Sequence, residues 1–394
     1  MTEAAACPFI GRDDRKSAAL ADAEANPDPG FAPVVDFAFA RDLMRSPAVV
    51  QGMQHEFFAE KDPNRVPVIF LDGEIHKKRR SQLARYFTPR AIKDRHRQVM
   101  DRTTAELMAQ LRRSGRGQLD VMTLRLASDV AAEIVGLTAS DASAMSERLR
   151  KLFRASGKAR GNGLAARLGK IEHALRTLWF FNRDVKPAIR DRRKHDRDDV
   201  ISFLVREGYS DQEILVECMT YATAGMITTR EFIVMVAWQL FGSESLRRQF
   251  LEGDEDARFA ILDEILRIDP VAAYLYRRAD EDMVTSEGRQ VKAGERFLID
   301  IRKSNLDEAA TGQCPLAIDP ERSRREKMPG NWLSFGDGPH RCPGAQVALH
   351  ETCVFIDALM RVPGIRLARA PDVGWIEEIN GYELHGAWVE CPAE

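Results

Sequence analysis

Apolar residues recur at helical spacing through most of the chain. Arg90 to Arg113 forms a long amphipathic pattern that stops near Ser114-Gly115. Leu119 to Gly136 and Ser140 to Ala155 follow, and "GLTASD" supplies the break and the cap between them. Asp72 to Phe87 reads as a basic helix closed by Thr88-Pro89, and Leu164 to Arg193 is another long pattern, interrupted by Pro187. Asp211 to Phe241 is the longest helical candidate, and at about 1.5 Å per residue it would cross a whole domain. Leu246 to Phe250 and Ala257 to Ile268 continue the helical run. From Val271 the texture changes. Short β-like pieces at 272–278, 282–285, 290–292 and 296–301 are separated by "EG" and "GE" turns. Asn305 to Asn331 is irregular, rich in Pro, Gly and charge. A helix from about Ala345 to Met360 and strands ending in "YELHGAWVEC" complete the chain. The pattern predicts a mostly α protein with small β-sheets. It reads as a single domain over 1–394, with the first ~30 residues loosely ordered.

Composition narrows the function classes. The chain has 394 residues, is 44% hydrophobic and 30% charged, and carries a formal net charge of −2, so it is globular with room for a large core. A near-zero charge argues against a nucleic-acid binder. The "RDRRKHDRDD" run interleaves acids with bases and reads as a solvated turn. Six cysteines at 7, 218, 314, 342, 353 and 391 show no CxxC spacing, which argues against a zinc site or redox pair and suits free thiols in a reducing cytoplasm. The start lacks a signal-peptide pattern, and no stretch of about 20 uncharged apolar residues exists to span a membrane.

Four constellations carry candidate chemistry. The first is "LSFGDGPHRCPG", Leu333 to Gly344, directly before a helix. Either Cys342 is a small buried hydrophobe, or Gly336, Gly338 and Gly344 bend the backbone so that a thiolate faces a ligand near a positive helix end. The second is Glu264–Arg267 in "AILDEILRIDP". At i,i+3 this is either a surface ion pair worth a few tenths of a kcal/mol or a buried pair with partners in the irregular stretch. The third is Ala224-Gly225-Met226-Ile227-Thr228-Thr229, poor helix formers in the middle of the longest helix. They mark a close helix crossing, or a local opening with a groove beside a hydroxyl, because threonine back-bonding can bend a helix. In the fourth, "HKKRR", His76 and Arg80 share a helix face, as a solvated basic surface or as a grip on anionic groups.

Together these residues resemble the cytochrome P-450 heme-thiolate monooxygenases. Phe335, Gly338, Cys342 and Gly344 match the FxxGxxxCxG signature, and Glu264 and Arg267 match the ExxR pair. Ala224-Gly225 and Thr228 match the oxygen-binding helix, "DGEIHKKRR" the heme-propionate helix, and "SNLD" (Ser304 to Asp307) the family's usual Ala-Asn-Arg-Asp. The resemblance runs from about residue 35 to the C-terminus.

It implies the family fold, a triangular helix-rich prism with heme b between the long central helix and the Cys-loop helix. Cys342 becomes the axial thiolate. His76, Arg80, Arg277, His340, Phe335, Gly336 and Gly344 become cofactor contacts. Ala224, Gly225, Thr228 and Thr229 become the catalytic stretch, and Glu264 and Arg267 a structural pair. Thr220, Thr223, Ala272, Ala273, Tyr274 and Leu275 should line a pocket for a hydrophobic compound such as a terpenoid, steroid or aromatic.

With no flavin or iron–sulfur domain in the chain, electrons would come from an acidic ferredoxin and its reductase. That partner would dock on a basic face of Lys77, Lys78, Arg79, Arg85, Arg322, Arg324, Arg325 and Arg341. The expected enzyme is a cytoplasmic monooxygenase. A peroxide-driven oxygenase, a heme-thiolate isomerase and a heme-bearing binding protein are the alternatives. Three positions depart from the family pattern: Ile227 where an acid precedes the threonine, Trp332 where many members have His, and Pro343, which removes a backbone N–H beside the sulfur.

Overall fold

The computed structural model describes residues 30–52, 66–158, 163–328, 330–376 and 379–394. The expectation of loose order over the first ~30 residues falls almost wholly outside them.

The α-helices of seven residues or more, in chain order, are α1 (Phe37–Arg45), α2 (Gly73–Ala84), α3 (Arg97–Ser114), α4 (Leu119–Val135), α5 (Ala142–Lys158), α6 (Leu164–Phe180) and α7 (Lys186–Lys194). They continue with α8 (Val200–Arg206), α9 (Asp211–Tyr221), α10 (Thr228–Phe241), α11 (Glu244–Glu252), α12 (Glu255–Ile268) and α13 (Ala345–Met360). Local chemistry sets their ends. A reciprocal capping box of Ser210 and Glu213 starts α9, and Gly115 at φ 68° closes α3 by donating its N–H to the Leu111 carbonyl. Pro187 does not break the helix around it. It sits in the first turn of α7, where a missing N–H costs nothing, and the irregularity is a wide turn at Phe181–Val185 just before.

The strands are β1 (Ala32–Val34), β2 (Val49–Gln51), β3 (Arg116–Gln118), β4 (Tyr274–Ala279), β5 (Met283–Val284), β6 (Gln290–Val291), β7 (Arg296–Asp300), β8 (Arg366–Arg369), β9 (Asp372–Ile376), β10 (Gly381–His385) and β11 (Trp388–Glu390). The largest sheet has the order β1-β7-β4-β2, with β1 parallel to β7 and the other pairs antiparallel. In its register Gln51 faces Arg277, a pairing that matters for the site.

Two large cores and a small cluster of Phe31, Ala273, Tyr274 and Leu298 divide the work. The larger runs through α3, α4, α10, α12 and α13, and Phe232 to Ala237 are wholly buried in its centre. The smaller packs α1 on β4 and β7 and takes in Trp332 and Leu333, so the chain entering the Cys loop is anchored in apolar contact.

Candidate active site

The Cys342 loop is held by its backbone. The Cys342 N–H donates to the Phe335 carbonyl at 2.8 Å, and the Gly336 N–H to the Leu333 carbonyl at 2.8 Å. Gly336 and Gly338 have φ of 69° and 64°, where a side chain is strained. A Cβ on Gly338 would also lie 2.3 Å from the Met44 carbonyl oxygen, so this turn presses directly on the end of α1. Asp337 fixes the contact from the other side by accepting from Arg41 at 3.2 Å and Arg45 at 2.8 Å. Burial pushes the Cys342 thiol up, while the N–H groups of Gly344 and Ala345 and the charges of Arg80 and Arg341 act to lower it. Pro343, next in the chain, has no N–H to offer the sulfur.

A polar cluster stands beside the loop. Arg277 donates to Gln51 Oε1 at 2.9 Å, Gln51 Nε2 meets His340 Nδ1 at 2.9 Å, and His340 Nε2 meets Asp72 Oδ1 at 3.0 Å. Because Gln51 accepts from Arg277, its amide N–H donates to Nδ1, and the Nε2–H of His340 then donates to Asp72. His76 stacks on His340 with ring centroids 4.1 Å apart. Burial, then the charges of His340 and Arg80, push His76 down to about 4. Burial pulls Arg277 down to about 10 against the pull of Asp72. With both imidazoles neutral, Arg277 is the cation of the cluster, buried and without a carboxylate at ion-pair distance among the described residues, which fits the acidic edge of a heme.

The fourth expected contact differs. Arg80 donates to the Arg341 carbonyl and lies within Coulombic reach of both Cys342 and Tyr221. It thereby links α2, the Cys loop and the central helix.

Glu264 and Arg267 are buried, not a surface pair. Arg267 meets the two Glu264 oxygens at 2.7 and 2.9 Å and donates to the carbonyls of Asn305, Pro315 and Ala317. Arg322 joins at 3.2 Å from Glu264 Oε2 and holds four more carbonyls of the segment from Thr311 to Ala317. Trp332 lies under the Arg267 guanidinium, 5.7 Å from ring centroid to carbon. Asn305 accepts from the Leu333 N–H and donates to Ser334, which donates to the Leu266 carbonyl. These bonds fasten the Cys loop to α12.

Of the two sequence readings of Ala224–Thr229, a close crossing or a local opening, the backbone takes the opening, beginning two residues earlier. Between α9 and α10, Ala222–Ile227 takes the wider π-helical turn. Thr228 Oγ1 back-bonds to the Ala224 carbonyl at 2.6 Å. Ala224 is exposed in mid-helix, and nothing lies within 4 Å of where a Gly225 Cβ would stand. Thr229 and Ile227 are buried, whereas Thr223 and Thr228 are half-buried. Thr220 back-bonds to Val216 at 3.0 Å. Of the other expected pocket residues, Ala272 bridges to Gly381, Ala273 and Tyr274 are buried, and Leu275 is half-buried. The Tyr274 ring lies against Trp375 at 5.9 Å.

The expected basic docking face needs two corrections. Arg322 is 1% exposed and Arg79 is 7% exposed, so neither faces a partner. Arg322 belongs to the Glu264 network, and Arg79 lies over the Tyr209 ring. Lys77, Lys78, Arg85, Arg324, Arg325 and Arg341 are exposed, but Arg324 and Arg325 already pair with Glu321, Asp319 and Glu326. Sequence reasoning missed Gln51, Asp72 and Tyr221. Asp72 carried a faint signal as the acid just before α2; Gln51 enters only through strand pairing.

The family model for cytochrome P-450 matches residues 259–362, the stretch that holds Glu264, Arg267 and the Cys loop. The chain is similar to mycinamicin IV hydroxylase/epoxidase of Micromonospora griseorubida, 35% identical over 45% of this chain and 44% of that protein. That alignment spans less than half of the relative's length. Cytochrome P-450 monooxygenase DoxA of Streptomyces sp. (strain C5) is 26% identical over 85% of this chain and 82% of its own. Among solved structures, CalO2 superposes with a TM-score of 0.76 at 19% identity, covering 97% of this chain and 98% of that one, a likeness of fold.

Proposed function

We propose that the chain is a cytochrome P-450, a reading supported by the family model over residues 259–362 and by its similar relatives, and that it acts as a heme-thiolate monooxygenase. It would insert one atom of O₂ into a hydrophobic small molecule, with electrons from an external ferredoxin system. The observation that carries this reading is the convergence at Arg80, which feels both the Cys342 sulfur and Tyr221 of the central helix. Arg80, which also donates to the Arg341 carbonyl, therefore stands near both the Cys loop and Tyr221, the residue before the opened turn.

Heme b, once bound, supplies the iron that activates O₂, and a thiolate ligand favours O–O cleavage. The protein's residues do the rest. Cys342 presents its sulfur where the backbone of Gly344 and Ala345 and the charges of Arg80 and Arg341 favour the thiolate. Arg277, held by Gln51, would offer positive charge to the propionates, and His76 would offer an N–H, its ring stacked on a His340 that Gln51 and Asp72 fix in place. The exposed Ala224 and the bare Gly225 leave room for a ligand, and the Thr228 back-bond keeps that turn open. The Thr228 hydroxyl can accept from a water while it donates to Ala224. The expected pocket residues are small or apolar apart from threonine hydroxyls and Tyr274, which suits a hydrophobic substrate. Relatives named for mycinamicin IV and for a steroid are in keeping with that class.

Ile227 motivates a second reading. A buried aliphatic side chain stands where relatives place an acid, so a peroxide-driven oxygenase would not need the missing group. Turnover with ferredoxin, reductase and NADPH separates the two from turnover with peroxide alone. Cys342→Ser should abolish the long-wavelength Soret band of the reduced carbon monoxide complex. An unchanged band would move the ligand to another cysteine and undo the assignment.

A further inference from the structure

Helix α6 carries a face that the proposed chemistry leaves unused. Leu164, Leu168, Ile171, Leu175 and Leu178 are spaced four, three, four and three residues apart, the a/d repeat of a coiled-coil seam. All five are more than half exposed, and Trp179 beside them is 43% exposed. The opposite face of α6 is already satisfied, because Ala166 and Phe180 are buried and α6 packs on α5 as an antiparallel hairpin. No described element covers the seam. Outside the described residues the large apolar side chains are Phe9, Ile10 and Leu20 after Met1 in residues 1–29, and Met53, Phe57 and Phe58 in residues 53–65, and neither set repeats the alternating four- and three-residue spacing of the seam.

The seam has the relief that a second helix needs. A groove of ≈ 460 Å³ runs along it, walled by Leu168, Ile171, Glu172, Leu175, Arg176 and Trp179. Residues 168, 171, 172 and 175 form one i, i+3, i+4, i+7 diamond, and 172, 175, 176 and 179 form the next. Such a diamond is the hole that receives a knob from a facing helix. The knobs that fit are leucines at the same spacing, which is what this face itself carries. The groove walls are neutral, because Glu172 pairs with Arg176 at 2.8 Å within the helix, while Arg167 and Lys170 flank the seam on its solvent side. The exposed apolar area amounts to roughly 600 Å² per copy, and twice that clears the roughly 1,000 Å² expected of a specific interface.

We propose that α6 is a homodimer interface. Two copies pack α6 against α6, antiparallel across a two-fold axis near Ile171–Leu175, with each seam filling the holes of the other. The test is sedimentation velocity on the heme-loaded full chain from about 1 to 100 µM. Wild type should form a dimer. The doubly substituted Leu168→Glu, Leu175→Glu protein should dimerise on the order of a hundredfold more weakly, with unchanged heme content and helicity. A Leu168→Lys, Leu175→Lys copy should be equally weak alone, and mixing it with the glutamate copy should restore a one-to-one dimer. Three results would overturn the proposal: a monomer throughout the range, a wild-type dimer that survives the glutamates, or a monomer that floats with phosphatidylcholine–phosphatidylglycerol vesicles only while the leucines are intact. The last would assign the face to a lipid surface.

Discussion

Glu264 holds two guanidinium groups and one backbone N–H on two oxygens. Arg267 takes both, while Arg322 and the Asp319 N–H share Oε2. Removing either arginine leaves a buried carboxylate under-compensated and strips donors from carbonyls between Thr311 and Ala317. Breaking a buried pair in this way costs about 3–5 kcal/mol, a large part of a typical fold's stability. Arg322→Ala should therefore match Arg267→Ala in lost stability and heme content, although only Arg267 belongs to the i,i+3 spacing. Arg322→Lys should not rescue it, since an ammonium cannot span four carbonyls and a carboxylate as the fork does. Urea unfolding and the heme-to-protein absorbance ratio read both. Full stability in Arg322→Ala would return that residue to the surface role its sequence suggested.

At the scale of the element, the opened turn of the central helix has two separable requirements. Gly225 has empty space where a Cβ would stand, so folding alone does not demand glycine there. Gly225→Ala should stabilise the protein by about 0.5–1 kcal/mol through helix propensity, yet weaken substrate-induced spin-state shifts by filling ligand space. A destabilised alanine variant with normal substrate binding would contradict this. Ile227→Asp tests the missing acid. At a 2% exposed position burial would push the new carboxyl up, so it would stay largely protonated and cost about 1–3 kcal/mol. Product formed per reductant consumed, with ferredoxin supplied, should nevertheless rise if proton delivery limits turnover. Unchanged coupling in a folded variant would mean that another group serves. These turns were legible because Gly and Thr pairs oppose helix, and α13 was legible to its ends, Ala345 and Met360, because Gly344 precedes a continuous apolar pattern. Helices α1 and α8 were not. They span nine and seven residues and depend on side-chain caps from Asp36 and Asp199 and, for α1, on Asp307 accepting from the Phe37 N–H. The site divides in the same way. Cys342, Glu264 and Arg267 stand in local motifs, whereas Gln51 and Arg322 acquire their roles from contacts more than 50 residues away in the chain.

Across the whole molecule, buried carboxyl groups set how stability varies with pH. Burial pushes Glu217 to about 7 on α9, Glu231 to about 7 on α10 and Glu351 to about 8 on α13. For Glu351 the nearby Asp129 charge adds to the rise, and Oε1 has no hydrogen-bond partner among the described residues. An acid whose folded pKa is raised keeps its proton in the native state and loses it in the unfolded chain. Between the ordinary value of 4.5 and these raised values the native state binds more protons, so stability falls as pH rises. The contribution is fully present below about 4.5 and is lost through pH 7 to 8. From pH 6 to pH 8 each such group should remove about 1–2 kcal/mol. Glu351→Gln keeps the shape of the side chain and removes the titration, so its unfolding free energy should change less over that interval and exceed wild type at pH 8 by a similar amount. Denaturant unfolding of both heme-loaded proteins at pH 6 and pH 8 measures the difference. Parallel pH dependences would mean that Glu351 is solvated in solution, and a less stable variant at both pH values would give it a partner that the glutamine cannot keep.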